Sequence, residues 1–289
     1  MVIDVQNLNL RYGDFHAVKD LSFHVDHGEL YALLGTNGAG KTSTLEIIEG
    51  HRTPTSGTVT VFGHSPRDRA AVRPRMGIML QESGFTPDLT VRESVRLIGA
   101  LTRREDTVDR VLAIVDLTAK AGTLVSQLSG GEKRRLDFAT AVWGAPELIF
   151  LDEPTTGLDI QSRDALWAAV DRLREDGSTI VLTTHYLEEA QQRANRIGLM
   201  HEGTFHREGT VSELTRTLPS VIRVTVPAGT ATLPLPATAL DADRWSIETT
   251  DLQKDLHYLL GWAHDNAIAL RDIEAGQTRL DDVFRAIGH

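Results

Sequence analysis

Residues 30–42 read Leu-Tyr-Ala-Leu-Leu-Gly35-Thr-Asn-Gly-Ala-Gly-Lys41-Thr42. A short run that is apolar throughout and then breaks into glycines predicts a strand buried on both faces, as in a parallel sheet. Residues 35–42 fit the spacing G-x-x-x-x-G-K-[ST], and Thr44-Leu-Glu-Ile-Ile-Glu49 reads as the start of a helix. Glycines let successive N–H groups curl around anionic oxygens, and a helix N-terminus adds a partial positive charge. The stretch therefore predicts a phosphate cradle built from Gly35, Asn37, Gly38, Ala39, Gly40 and Ser43. Lys41 is placed to reach the β- and γ-phosphates of a nucleotide, and the Thr42 hydroxyl to ligate Mg²⁺.

Outward from this point, Leu148-Ile-Phe-Leu151 and Thr179-Ile-Val-Leu-Thr183 have the same buried-strand character. Helical stretches separate the runs, which argues for an α/β core. Residues 1–10 and 21–25 alternate apolar and polar, as half-buried strands do, and Ile197–Met200 with His201-Glu-Gly-Thr204 reads as a hairpin. Between about 88 and 142, apolar residues recur at helical spacing: Val91, Val95, Leu97 and Ile98, then Val108, Val111, Leu112 and Val115.

The run at 148–151 ends in Asp152-Glu153. Downstream of a phosphate loop, an aspartate at the end of such a strand is placed to hold Mg²⁺, and an adjacent glutamate to act on the attacking water as general base. Shortly before it lies Leu128-Ser-Gly-Gly-Glu-Lys-Arg-Arg135, in which Ser129, Gly130 and Gly131 open a charged helix. Taken alone, that segment reads first as an ordinary N-capped helix with a flexible lead-in, ahead of an anion-binding helix start.

Taken together, the phosphate loop, Ser-Gly-Gly and Asp-Glu resemble the ATP-binding cassette family over residues 1 to about 215. The resemblance implies a P-loop NTPase fold: a RecA-like α/β core with antiparallel β and helical subdomains, the latter at about 84–142. It implies that Tyr12 stacks on adenine. It also implies that Gln81 links Mg²⁺ and the attacking water to a membrane partner, and that Gly157-Leu-Asp159 crosses a dimer interface. His185 is implied to sense the γ-phosphate. Read singly, Tyr12 is also a strand-edge aromatic, Gln81 a surface polar residue, His185 a half-buried histidine and Asp159 a helix cap. Two positions depart from the family pattern. Glu132 stands where glutamine is usual, which is expected to alter the local charge or the pairing with Arg134 and Arg135, and Ile160 stands where proline is common.

One phosphate loop and one signature per chain imply a second ABC ATPase chain, expected as a homodimer sandwiching two ATP molecules. No stretch approaches the roughly 20 apolar residues of a membrane span, and no secretory leader is evident. The implied permease is therefore a separate polypeptide, with this chain on the inner face of the membrane. A net charge of −10 and the absence of cysteine exclude a disulfide scaffold, a thiolate metal site and non-specific coating of nucleic acid.

Beyond Leu218-Pro219 the composition shifts. Val221–Val226 and Trp245–Thr249 read as strands, and Leu252, Leu256, Leu259, Leu260 and Ala263 define an amphipathic helix. A small α+β extension is expected over 219–289. Gly50, the Gln81–Gly84 loop with Pro87–Glu93, and Leu280-Asp-Asp-Val-Phe284 resemble the drug-exporter branch, whose relatives pair with daunorubicin-type permeases or move lipids, polysaccharides or metabolites. The resemblance thus implies an Mg²⁺-dependent ATPase energising export. The alternative is a non-transport ATPase switch acting on ribosomes, nucleic acid or regulation.

Overall fold

The computed structural model describes residues 1–80, 84–102, 104–216, 219–227, 233–277 and 280–287. Gln81 lies outside them. The chain divides into two compact units, Met1–Thr210 and Val211–His289.

In the first unit, β1 (Ile3–Tyr12) and β2 (Phe15–Val25) form a hairpin closed by Gly13, whose φ is +58°. The buried run at 30–35 becomes β3 (Leu30–Gly35), and the phosphate-loop segment feeds α1 (Lys41–Ile48). Next, β4 (Ser56–Val61) returns beside β1, completing an antiparallel sheet in the order β2-β1-β4. The buried faces of these strands and of α1 (Leu45, Ile47 and Ile48) share one core with Leu33, Phe150 and Val181 of the larger sheet.

A short α2 (Arg69–Val72) precedes β5 (Met76–Met79). Three helices follow, α3 (Val91–Thr102), α4 (Val108–Ile114) and α5 (Gly130–Ala141), packed on one another as the helical spacing predicts. The remaining elements are β6 (Leu148–Asp152), α6 (Ile160–Glu175), β7 (Thr179–Thr183), α7 (Leu187–Arg193), β8 (Arg196–His201) and β9 (Thr204–Gly209). The turn between β8 and β9 is tight, with Glu202 and Gly203 both at positive φ, as a two-residue hairpin requires.

The larger sheet runs β5-β6-β7-β3-β8-β9. Its first five strands are parallel and only β9 is antiparallel. The C-terminal ends of β3, β6 and β7 therefore open on one edge, where ligands bind in parallel α/β sheets. Register makes this concrete: Thr183 pairs with Leu33 on one side and with Asp152 on the other.

The second unit begins with α8 (Val211–Arg216) and β10 (Ser220–Thr225), followed by β11 (Thr238–Ala239), β12 (Arg244–Thr249), α9 (Leu252–Asp265), β13 (Arg271–Gly276) and α10 (Leu280–Ile287). The strands order as β11-β12-β10-β13, with Leu259 of α9 in the same core as Ile222, Val224 and Ile247. The division falls at 210/211, with α8 packed on α10 within the second unit. Leu280 and Val283 are buried, and Asp282 pairs with Arg223 at 2.5 Å, so the Leu280–Phe284 segment anchors this unit.

Candidate functional site

The turn from β3 into α1 is sterically fixed. Gly38 and Gly40 have φ of +77° and +96°. A Cβ at Gly40 would lie 2.6 Å from the Ala17 carbonyl oxygen, and one at Gly35 2.5 Å from that of Met200. Gly40 is the N-cap of α1 and supplies no side-chain cap, so first-turn N–H groups remain for an anion. Asn37 and Gly38 are exposed at the tip, whereas Ala39 is buried and its carbonyl accepts from the Gly203 N–H at 3.2 Å. The Lys41 ammonium arches over the loop, donating to the carbonyls of Gly35 at 2.8 Å and Thr36 at 3.1 Å. Burial lowers its pKa, while Glu153 and Asp152 oppose that shift. Thr42 is exposed on the first turn. The Ser43 hydroxyl lies 3.1 Å from that of Tyr12, and the Arg52 guanidinium sits 4.8 Å from the Tyr12 ring centroid.

Asp152 ends β6, and its Oδ1 accepts from the Thr183 hydroxyl. Burial raises its pKa, and the neighbouring Glu153 charge adds to the rise. Glu153 follows in a left-handed conformation, φ +49°, with its N–H donating to the Thr183 carbonyl at 2.9 Å. Its Oε1 lies 3.3 Å from His185 Nδ1, and the His185 ring packs on Tyr186 at 4.2 Å between centroids. The structure thus brings Lys41, Asp152, Glu153 and His185 to one edge of the sheet. Gln81 is outside the described residues, although β5 leads directly toward it through Leu80.

Ser129 and Asp159 are both helix caps. Ser129 Oγ accepts from the Glu132 N–H at 3.2 Å, and Glu132 Oε2 accepts from the Ser129 N–H at 2.8 Å, a complete capping box at the start of α5. Gly130 and Gly131 form its first turn, and a Cβ at Gly131 would meet nothing nearer than Leu158 at 3.6 Å. The local charge and pairing of Glu132 are set by Lys120, its ionic partner at 3.3 Å. Both arginines instead reach main-chain carbonyls, Arg135 those of Val115 and Asp116. The Ser129 N–H bond holds the Glu132 pKa low. Asp159 Oδ1 accepts from the Ser162 N–H at 2.7 Å, which lowers its pKa, and Ile160 beside it is exposed.

Three supporting residues escape sequence reasoning. Thr183 holds the Asp152 carboxyl. Glu189 is buried and accepts from the hydroxyls of Thr155, at 2.8 Å, and Thr184, tying the loop after Glu153 to the loop carrying His185. Arg134 is buried against the carbonyls of Leu80, Asp152 and Glu153. No spacing marks these contacts, because each depends on strand register or on which way a side chain turns.

A parallel sheet in which β3 enters a glycine-rich helix start, with two carboxylates at the end of β6 on the far side of β7, defines a phosphate-loop ATPase. The chain belongs to the ATP-binding cassette transporter family: residues 18–156 match ABC transporter, and residues 220–278 match the ABC transporter domain-containing protein-like C-terminal domain. It is similar to daunorubicin resistance ATP-binding protein DrrA3 of Streptomyces coeruleorubidus, 36% identical over 98% of this chain and 94% of that one. It is also similar to Nod factor export ATP-binding protein I of Paraburkholderia xenovorans, 40% identical over 73% of this chain and 72% of that one. Among solved structures, an ATP-binding subunit of an ABC transporter aligns with a TM-score of 0.71 at 26% identity, covering 75% of this chain and 93% of that one. A dimeric ATP-binding cassette bound to ADP and Pi aligns at 0.66 and 26% identity, covering 72% and 98%. The chain is accordingly an ATP-binding, ATP-hydrolysing subunit that energises a transporter. Among the described residues, no helix is long and apolar enough to cross a membrane.

Proposed function

We propose that the chain hydrolyses ATP at the edge formed by β3, β6 and β7 and so drives export through a separate membrane permease. The observation carrying the reading is the convergence of Lys41, Asp152, Glu153 and His185 on that edge. The first-turn N–H groups of α1 and the Lys41 ammonium bind the phosphates, and Tyr12 stacks on adenine through the face not taken by Arg52.

The donor set suits Mg²⁺: a threonine hydroxyl and a carboxylate are hard oxygen ligands, and Asp152 and Glu153 repel one another in a half-buried site that a cation relieves. Thr42 and Asp152 would hold it together with Gln81. When bound, Mg²⁺ neutralises charge on the phosphate oxygens. Glu153 takes a proton from the attacking water, and His185, 3.3 Å from that carboxylate, orients it and contacts the γ-phosphate.

Ser129, Gly130 and Gly131 present a helix start to the nucleotide of a second copy of the chain, with Asp159 at the same interface. Loss of the shared γ-phosphate then loosens the pair. A groove of about 630 Å³ between α2–β5 and α3 receives the permease; His51, Arg73, Ile98 and Leu101 are among its lining, in which no carboxylate is found among the described residues. The names of the two relatives, daunorubicin resistance and Nod factor export, support export; a drug, lipid, polysaccharide or metabolite as cargo, and a place at the inner membrane face, complete the proposal.

The test is Glu153→Gln in the full chain. Turnover should vanish while ATP accumulates in a dimer separable by size-exclusion chromatography. Hydrolysis at the wild-type rate would remove Glu153 from the role of base.

A further inference from the structure

Helix α5 carries two adjacent arginines with different fates. Arg135 bonds to the carbonyls of Val115 and Asp116, within the helical segment. Arg134 turns inward and is only 6% exposed. Its Nη1 donates to the Leu80 carbonyl at 2.6 Å. Its Nη2 donates to the carbonyls of Asp152 and of Glu153, the latter at 2.7 Å. Leu80 is the last described residue before Gln81, and Asp152 and Glu153 are the two acids at the end of β6. One planar group therefore fixes the ends of two neighbouring strands to one helix.

Burial lowers the Arg134 pKa, yet a guanidinium stays protonated in a protein and its hydrogens need acceptors. Main-chain carbonyls supply them at both Nη groups without consuming the carboxylates. The effect on Glu153 is specific. Its N–H is held by the Thr183 carbonyl and its C=O by Arg134, so a left-handed residue is gripped on both sides. Gripping the main chain fixes where the carboxylate can go, and catalytic groups must be held to within about 0.5 Å of their working position.

We infer that Arg134 is a positioning residue for hydrolysis, making the placement of Glu153, and of the strand end leading to Gln81, depend on where α5 sits. The inference rests on Glu153 being the base. Arg134 acts through the main chain and is not itself a catalytic group. The N-cap Ser129 lies little more than one helical turn from Arg134 on the same helix. A load placed on Ser129-Gly130-Gly131 by a second chain's nucleotide therefore reaches Glu153 through a single rigid strut. Engagement by the partner is read as alignment of the base.

The test uses the full chain as wild type, Glu153→Gln, Arg134→Gln and Arg134→Lys. Steady-state hydrolysis across ATP concentrations, equilibrium ATP binding, thermal melting and size-exclusion chromatography with ATP are measured on each. Glutamine lacks the reach and the charge, and lysine keeps the charge without the fork. Both Arg134 variants should lower kcat about tenfold or more, with the Kd for ATP within about twofold of wild type. Both should also accumulate the ATP-loaded dimer, as Glu153→Gln does, because the nucleotide-contacting residues are untouched. Wild-type kcat in both, beside an inactive Glu153→Gln, overturns the inference and leaves the base in place. Loss of kcat only in step with ATP affinity or melting temperature, or failure of both to fold, also overturns it and leaves Arg134 a stability residue. Normal turnover by Glu153→Gln overturns the premise itself, whatever the Arg134 variants do.

Discussion

His185 Nδ1 stands 3.3 Å from Glu153 Oε1, across the ends of the adjacent strands β7 and β6. The imidazole is braced from behind by the Tyr186 ring. A histidine so placed can orient the carboxylate that we propose as base. His185→Ala should lower kcat about a hundredfold, within the usual range for a positioned proton-transfer group, with little change in ATP affinity. Steady-state kinetics with a parallel binding isotherm separates the two quantities, and an unchanged kcat would detach His185 from the chemistry.

Gly40→Ala should close the phosphate loop. The new Cβ would meet the Ala17 carbonyl at 2.6 Å, at a φ of +96° that side-chain-bearing residues rarely adopt. Strain of about 1–3 kcal/mol is expected, with a loss of at least about tenfold in ATP affinity. Thermal melting and calorimetric ATP titration report the two effects independently. Binding at wild-type strength would show that the loop can relocate.

Glu132 divides its work between the capping box and Lys120. Glu132→Ala should cost about 1 kcal/mol, whereas Glu132→Gln keeps an acceptor for the Ser129 N–H and loses mainly the ionic partner. Because its folded pKa is depressed, its contribution is present above the unfolded value of about 4.3 and is lost as pH falls through the folded value. Melting curves of wild type and Glu132→Gln should converge on acidification. A gap that persists unchanged at low pH would contradict the pairing.

Glu49 titrates in the opposite sense. Burial behind the last turn of α1, with the Asp152 charge adding to it, pushes its carboxyl up to about 8. A raised acid pKa gives stability that is full below the unfolded value of about 4.3 and is lost as pH rises through about 8. In nucleotide-free protein, Glu49→Gln should therefore melt progressively higher than wild type as pH rises from 5 to 8, the difference levelling off above. A constant difference across that range would show that Glu49 is ionised throughout.

The three runs Leu30–Leu34, Leu148–Leu151 and Thr179–Thr183 were legible as buried strands because burial on both faces leaves an unbroken apolar run. The loop at 35–42 was legible because its glycine, lysine and threonine spacing is fixed by the chemistry of a phosphate, even though the carbonyls that crowd Gly35 and Gly40 belong to the distant Met200 and Ala17. What was not legible depends on distant partners. Thr183 meets Asp152 only through strand register. Glu132 prefers Lys120 because Arg134 lies two positions away on another side of the helix and Arg135 is drawn to carbonyls. The unit boundary at 210/211 is set by the contact of α8 with a helix some 70 residues later, and no local composition records it.

The left-handed backbone at Glu153 sets the molecule's interest in folding against its interest in turning over. A glutamate at φ +49° carries strain of about 1–3 kcal/mol that glycine would release. Glycine there would remove the proposed base at the same stroke. A laboratory search for thermal tolerance alone would thus be drawn toward this position and would recover a sturdier protein that no longer turns over. Only selection that scores turnover keeps the acid where the chain would rather not have it.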